Sequence, residues 1–335
     1  MLVAVAGASG RLGQSFVKKL VANGYPVVAL VRSKSSLGKI PKGAKHRFVD
    51  YGGSVAELRS TLEDVTHIVN ITGSTSTHLS LDELRNANVE PTKKLLEAAP
   101  SSLQKFIHIS SISVYGKKLD GLCDETCEKK ADTAYARTKL ESEKLVLSHA
   151  KNFDILILEP GMIFGPGFVE GFYPILRRIV QGKMKLIGDG TNYMPLVHVE
   201  DVSDAILRAI DSSVPSGSVY LIVTEPQLTQ AQLVDMAASA LGSKSPMSSE
   251  NILLARFAIR LNESYSRLVG KKPSITSDMI EQLCSNRCFS SKKAAMELRW
   301  KSSVPFKMGI DQVVNQFIEE NNLGNLNGKN RKISA

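Results

Sequence analysis

Short apolar runs alternate, through the first half of the chain, with stretches whose apolar residues recur every three to four positions. The runs are Leu2–Ala6, Pro26–Val31, His46–Val49, His67–Ile71, Phe106–Ile109 and Asp154–Leu158. Between them, helical spacing covers Arg11–Asn23, Val55–Leu62, Leu81–Ala98 and Thr133–His149. Nearly continuous apolar strands must be covered on both faces, and strands separated by helices pair in parallel. Right-handed crossovers then gather the strand C-termini along one edge of the sheet, where ligands bind. After Pro160 the rhythm breaks. Gly and Pro crowd Gly161–Gly171, a helix is predicted over Phe172–Gln181, a strand–helix pair around Met184–Ile210 and a strand over Val219–Val223. From Leu228 the pattern is mostly helical. Ile252–Leu268 is its most apolar stretch, which suits an apolar substrate cap, ordinary core or a dimer face.

A chain of 335 residues suits a main domain with a smaller one appended. With 22% charged and 43% hydrophobic residues it belongs with ordinary globular proteins. No apolar run approaches the roughly 20 residues that span a bilayer. The opening MLVAVAGASG has no basic leader and runs straight into glycines, so it reads as a buried first strand in a cytoplasmic protein. The net charge of +9 comes from scattered Lys and Arg, clustered only in the GKNRK of a polar tail expected to be disordered. Such a surface attracts small anions, and no nucleic-acid partner is expected. The cysteines form two C-x3-C pairs, Cys123/Cys127 and Cys284/Cys288. Structural zinc sites more often show C-x2-C spacing, so these read as reduced thiols and no metal is expected.

The segment LVAVAGASGRLG sets Gly7, Gly10 and Gly13 between the first strand and the first helix. Glycine is needed where a chain turns tightly, where backbone approaches a pyrophosphate, and where helix packs closely on strand. The helix N-terminus adds free N–H donors and partial positive charge. The second strand ends in Arg32, followed by Ser33 and Lys34. A carboxylate at this point would hold a ribose 2′-hydroxyl, whereas Arg accommodates a 2′-phosphate, so the charge favours NADP over NAD. A solvated Arg at a strand end is the plainer alternative. Asp50, after the third strand, is placed to accept from an adenine amino group, although Asp is also a common turn residue.

Tyr135 and Lys139 in YARTK lie four apart, so one helix face presents both. A phenol with its ordinary pKa of about 10 exchanges protons poorly at neutral pH, and a nearby ammonium would lower it. The segment HISSISVYG places Ser110, Ser111 and Ser113 at a strand C-terminus, where a hydroxyl can hold a substrate carbonyl oxygen.

Taken in order, GASGRLG, SSISVYG, YARTK, PGMIFGPG, LVHVED and the late FSSKKAAMELRW resemble the extended short-chain dehydrogenase/reductase family over about Met1 to Glu320. The resemblance implies an α/β fold: a doubly wound parallel Rossmann sheet with a smaller, mostly helical substrate-binding lobe. Residues 1–165 would form the dinucleotide-binding domain, completed by parts of 184–223. Residues 166–183 and 224–322 would form the lobe, and 323–335 the tail. It implies Ser111, Tyr135 and Lys139 as catalytic residues, with Lys139 also on the nicotinamide ribose. The coenzyme-binding set comprises Gly7, Ser9, Gly10, Arg11, Leu12, Gly13, Arg32, Ser33, Asp50, Tyr51, Thr72, Gly73, Asn88, Pro160 and Gly161, with Tyr135 and Lys139. His198 and Asp201 match a signature of mainly structural role.

Sugar-nucleotide epimerases of this family typically carry Asn where Met162 stands and often Arg where Met194 stands. Apolar replacements disfavour a diphosphate, and both methionines are expected to line or border the substrate cleft. GKKPSIT and FSSKKA look more like the dihydroflavonol-reductase and 3β-hydroxysteroid-dehydrogenase branch. The implied function is hydride transfer between NADP(H) and a carbonyl/alcohol substrate, in a possible homodimer. The alternatives are a nucleotide-sugar epimerase or dehydratase with tightly held NAD, and a non-catalytic NADP-binding sensor or assembly subunit.

Overall fold

The computed structural model describes residues 1–323 except 77, 120, 170, 246–247, 252–256, 258–259, 263–265 and 267–284. The apolar Ile252–Leu268 stretch, GKKPSIT, Cys284 and the basic tail therefore lie largely or wholly outside the described residues.

Seven parallel strands make the central sheet. In chain order they are β1 (Val3–Ala6), β2 (Val27–Val31), β3 (Lys45–Phe48), β4 (His67–Asn70), β5 (Lys105–Ile109), β7 (Asp154–Pro160) and β12 (Ser218–Ile222). Their spatial order is β12-β7-β5-β4-β1-β2-β3. The chain leaves β1 toward β2 on one side and returns to β4 on the other, so a crevice opens at the C-terminal end of β1.

Period-two alternation sorts the apolar residues between the faces. Val3, Val5, Val27, Ala29, Ile107 and Leu156 meet α1 (Arg11–Ala22) and α7 (Val199–Asp211). Ala4, Ala6, Val28, Leu30, Phe106 and Ile157 meet α2 (Val55–Thr61), α4 (Glu90–Glu97) and α5 (Ala134–Leu147). One strand departs from the expected apolar run: β3 is the sheet edge, and its Lys45, His46 and Phe48 are exposed. Charged residues on an edge strand discourage pairing with another chain.

The helix expected over Leu81–Ala98 is two. α3 (Leu81–Asn88) ends at Val89, and α4 begins with Pro91 in its first turn. Proline has no N–H to donate back into the preceding turn, so the pattern continues while the helix does not. Beyond β7 the chain forms two- and three-residue pairs: β8 (Met162–Phe164) with β11 (Leu196–His198), and β10 (Tyr193–Met194) with β13 (Leu228–Thr229). β9 (Leu186–Ile187) pairs with β14 (Ser249–Glu250), and β6 (Leu122–Cys123) with β15 (Cys288–Phe289). A separate core gathers α6 (Tyr173–Val180), α8 (Gln230–Ala240) and the helix Phe306–Glu320 around Leu176, Leu233, Val313 and Phe317. No helix among the described residues is long and apolar enough to cross a membrane.

Candidate active site

Glycine is sterically required in the first turn. Gly7 has φ +85°, and a Cβ there would lie 2.9 Å from the Ile71 carbonyl carbon. A Cβ on Gly13 would lie 2.2 Å from the Gly7 oxygen, so this glycine lets α1 close onto the turn. Gly10 caps α1 without a side-chain hydrogen bond, and no acidic residue occupies the first helical turn. Free N–H groups and the positive end of the helix dipole thus face the crevice at the end of β1. A glycine turn packed onto its own backbone, leading into a helix N-terminus free of acidic residues, fits a dinucleotide pyrophosphate.

Around this turn the expected residues divide by what they touch. The Ser9 carbonyl accepts from the Gln14 side chain at 2.9 Å, and Leu12 is buried in the core against α7. Arg11 donates to the Gly167 carbonyl at 2.9 Å and lies over the Phe168 ring, tying the turn to the loop after β8. Arg32 is exposed beyond β2 and makes no hydrogen bond or ion pair among the described residues. Ser33 shares its hydroxyl with Ser35 and Ser36. Asp50 accepts the Gly52 N–H at 2.8 Å, the turn role that was its plainer reading. Tyr51 has a buried hydroxyl without a partner; burial raises its pKa while the Arg32 charge opposes.

Asn88 acts as a clamp. Its Oδ1 accepts the Ser74 N–H at 2.6 Å, and its Nδ2 donates to Thr138 Oγ1 at 2.8 Å. A Cβ on Gly73 would sit 2.8 Å from that Oδ1. Thr72 donates to Asn70 Oδ1 at 2.6 Å, and Asn70 in turn reaches Thr92 and His108. The loop after β4 is thereby fixed to α3 and α5. Gly161, following Pro160 at the end of β7, would carry a Cβ 2.3 Å from the Pro195 oxygen, so its glycine serves a close chain crossing.

Helix α5 inverts the usual pattern: Thr138, Lys139, Ser142 and Glu143 are buried polar residues on its inner face. Thr133 caps the helix through the Ala136 N–H. Burial pushes the Tyr135 phenol up to about 12, and its hydrogen bond with Ser111 pulls the other way. Lys139 donates to the Ile109 carbonyl at 2.5 Å, and burial draws it down to about 8 against the opposing field of Glu143. The expected lowering of the phenol by Lys139 does not appear: desolvation dominates, with Ser111 as the opposing group, and leaves Tyr135 protonated at neutral pH.

Sequence reasoning missed the groups behind this pair. Ser110 donates to Glu143, and Lys129 bridges Glu143 at 2.5 Å and Glu159 at 2.6 Å. Tyr115 donates to Glu159 Oε2 at 2.8 Å. Glu143 was legible as the next turn of the Tyr135–Lys139 face, and Glu159 as a carboxylate within the apolar DILILEP. Met194 corrects an expectation: it is 2% exposed and packs into the core with α6 and α8, and Met162 packs against the same core. Asp201 accepts from Ser303 and Val304, and His198 caps α7 and meets Gln312, which are structural roles.

A doubly wound sheet opening at its switch point onto a glycine-turned helix is the architecture of a nicotinamide-dinucleotide enzyme of the short-chain dehydrogenase/reductase kind. The chain belongs to the NAD dependent epimerase/dehydratase family, whose model matches residues 3–222. It is 24% identical over 329 residues to the 2-alkyl-3-oxoalkanoate reductase of Stenotrophomonas maltophilia, covering 92% of this chain and 97% of that one. It is 25% identical over 334 residues to the UDP-glucose 4-epimerase of Vibrio cholerae, covering 96% of each. The fold matches the UDP-glucuronic acid 4-epimerase of Bacillus cereus in complex with NAD, with a TM-score of 0.74 at 20% identity over 96% of this chain and 99% of that one.

Proposed function

We propose that this protein transfers a hydride reversibly between NADP(H) and a carbonyl/alcohol substrate, with Tyr135 as general acid and base. The observation that carries this reading is the placement of Lys139, buried one helical turn beyond Tyr135 and donating to the carbonyl of Ile109, the last residue of β5, two residues before Ser111. The bound coenzyme supplies the hydride in reduction and accepts it in oxidation. Tyr135, held protonated by burial, donates to the oxygen that gains negative charge, and Ser111 donates to the same oxygen. Lys139 supplies the positive field that stabilises the phenolate left behind, and Glu143 behind it favours the charged ammonium. Arg32, exposed and without a hydrogen bond or ion pair among the described residues, supports NADP by matching a 2′-phosphate. In this reading residues 1–165, with parts of 184–223, bind the coenzyme, while 166–183 and 224–322 enclose the substrate.

A second reading, a nucleotide-sugar epimerase or dehydratase, is favoured by the full-length similarity to the Vibrio cholerae epimerase. Tyr135→Phe tests the shared chemistry. It should lower turnover about 100- to 10,000-fold while leaving coenzyme affinity within about twofold, because a proton donor alone is removed. A variant that keeps most of its activity would reject the assignment. Net coenzyme turnover with a simple ketone separates the reductase from an epimerase.

A further inference from the structure

Arg287, one residue ahead of β15, is 4% exposed, and its guanidinium makes no hydrogen bond or ion pair among the described residues. Its Nε is enclosed and unpartnered. A buried guanidinium is normally paired, because taking its donors out of water with nothing to receive them is unfavourable. The carboxylate that acts on it is Asp132, from a distance, and that group already accepts the Lys117 N–H at 3.1 Å. Burial draws Arg287 down to about 10, so it remains a cation at neutral pH.

Other orphaned groups belong to the same region. Ser113 Oγ, Thr224 Oγ1 and Gln227 Oε1 are buried without partners. Gln227 donates to the Phe289 carbonyl at 2.6 Å, which fixes it beside the strand that Arg287 leads into. Ile112, Val114, Val223 and Phe289, chain neighbours of these groups, pack in one apolar cluster. The Tyr193 N–H donates to Asn286 at 3.0 Å and holds the Arg287 segment against β10. Two hydroxyls and a guanidinium without acceptors therefore flank the apolar cluster that holds Ile112, the residue after Ser111.

We propose that Arg287 binds an anionic oxygen group of the substrate, in a subsite reaching from Ser111 and shared with the Ser113 and Thr224 hydroxyls. The inference rests on Ser111 and Tyr135 being the reacting site, and it makes the substrate a carbonyl or hydroxyl compound that carries an anion. The planar guanidinium fork suits a carboxylate and a phosphate equally. The anion is thus either the carboxylate of an oxo acid or the diphosphate of a nucleotide sugar.

Thermal melts of NADP-saturated protein with acetoacetate, with UDP, or with sodium chloride at matched ionic strength test this. One of the two anions should raise the Tm of the wild type above the chloride control. A response to acetoacetate identifies the carboxylate, and a response to UDP the diphosphate. Arg287→Met should abolish the response, yet melt no lower than the wild type without anion, since it removes an unpaired buried charge. Arg287→Lys, which keeps the charge without the fork, should weaken the anion at least tenfold. No response from the wild type to either anion overturns the proposal. So does an Arg287→Met protein that responds normally, or one that melts well below the wild type, which would make the residue a structural support. None of these melts requires turnover, so they stand apart from Tyr135→Phe, whose failure would overturn the catalytic reading instead.

Discussion

Glu159 is fully buried, and desolvation, reinforced by Glu143 and opposed by Lys129, lifts its carboxyl from 4.5 to about 8. The groups facing it are Lys129, Tyr115 on the 3₁₀ turn Ile112–Tyr115, Glu143 on α5 and Cys123 on β6. Between those two pKa values the native protein holds a proton that the unfolded chain has released, so stability falls as pH rises through the window. A shift of this size corresponds to at most about 5 kcal/mol, and relaxation around the cluster leaves about 2–4 kcal/mol. Glu159→Gln is uncharged at every pH and keeps an acceptor for Tyr115 or Lys129. Relative to wild type it should gain about 2–4 kcal/mol between about pH 5 and about pH 9 in urea unfolding. Lys129→Met perturbs the same cluster in the opposite sense, leaving two buried carboxylates without their shared cation. It should lose about 3–5 kcal/mol at about pH 9, and less at about pH 5, where Glu159 is protonated without help. Curves of stability against pH that run parallel for wild type and Glu159→Gln would refute the assignment of the window to Glu159.

Arg32→Asp should move coenzyme preference toward NAD by at least about tenfold, or about 1.4 kcal/mol, in paired titrations of NAD and NADP; an unchanged ratio rejects its 2′-phosphate role. Gly13→Ala forces a methyl group onto the Gly7 oxygen, so urea melts should show a loss of about 1–3 kcal/mol together with weaker coenzyme binding. Lys105 donates to the Ala209, Ile210 and Ser212 carbonyls at the end of α7. Lys105→Met should leave those oxygens unsatisfied at about 2–3 kcal/mol, with coenzyme affinity retained; a change below about 0.5 kcal/mol rejects the capping role.

What the sequence disclosed follows from how far each signal is local. β1, its glycine turn and α1 could be read because an apolar run, required glycines and a 3.6-residue period are all written within neighbouring residues. The same holds for Tyr135 and Lys139, one helical turn apart. Asn88 could be placed near the site, but its clamp on Ser74 and Thr138 depends on three segments meeting, which no spacing records. The break at Pro91 was a local signal overridden by a continuous apolar pattern. β9, β10, β13, β14 and β15 are two residues long, too short for any periodicity to register.

The methionines show where reading one position at a time goes astray for substrate. Met194 is apolar, but it is core, so its character describes packing between α6 and α8 more than the chemistry of the cleft. A substrate site is defined by which polar groups the fold leaves unsatisfied beside the reacting residues, and that property appears only when every partner is known. Arg287 in the string SNRCFS looks like any surface cation. Folded, it is buried without an ion pair among the described residues, while Asp50, an equally plausible ligand by position, closes its own turn. Charge that the fold has already neutralised says little about a ligand. Charge that it has buried and left open constrains the ligand's sign, and here that sign is negative.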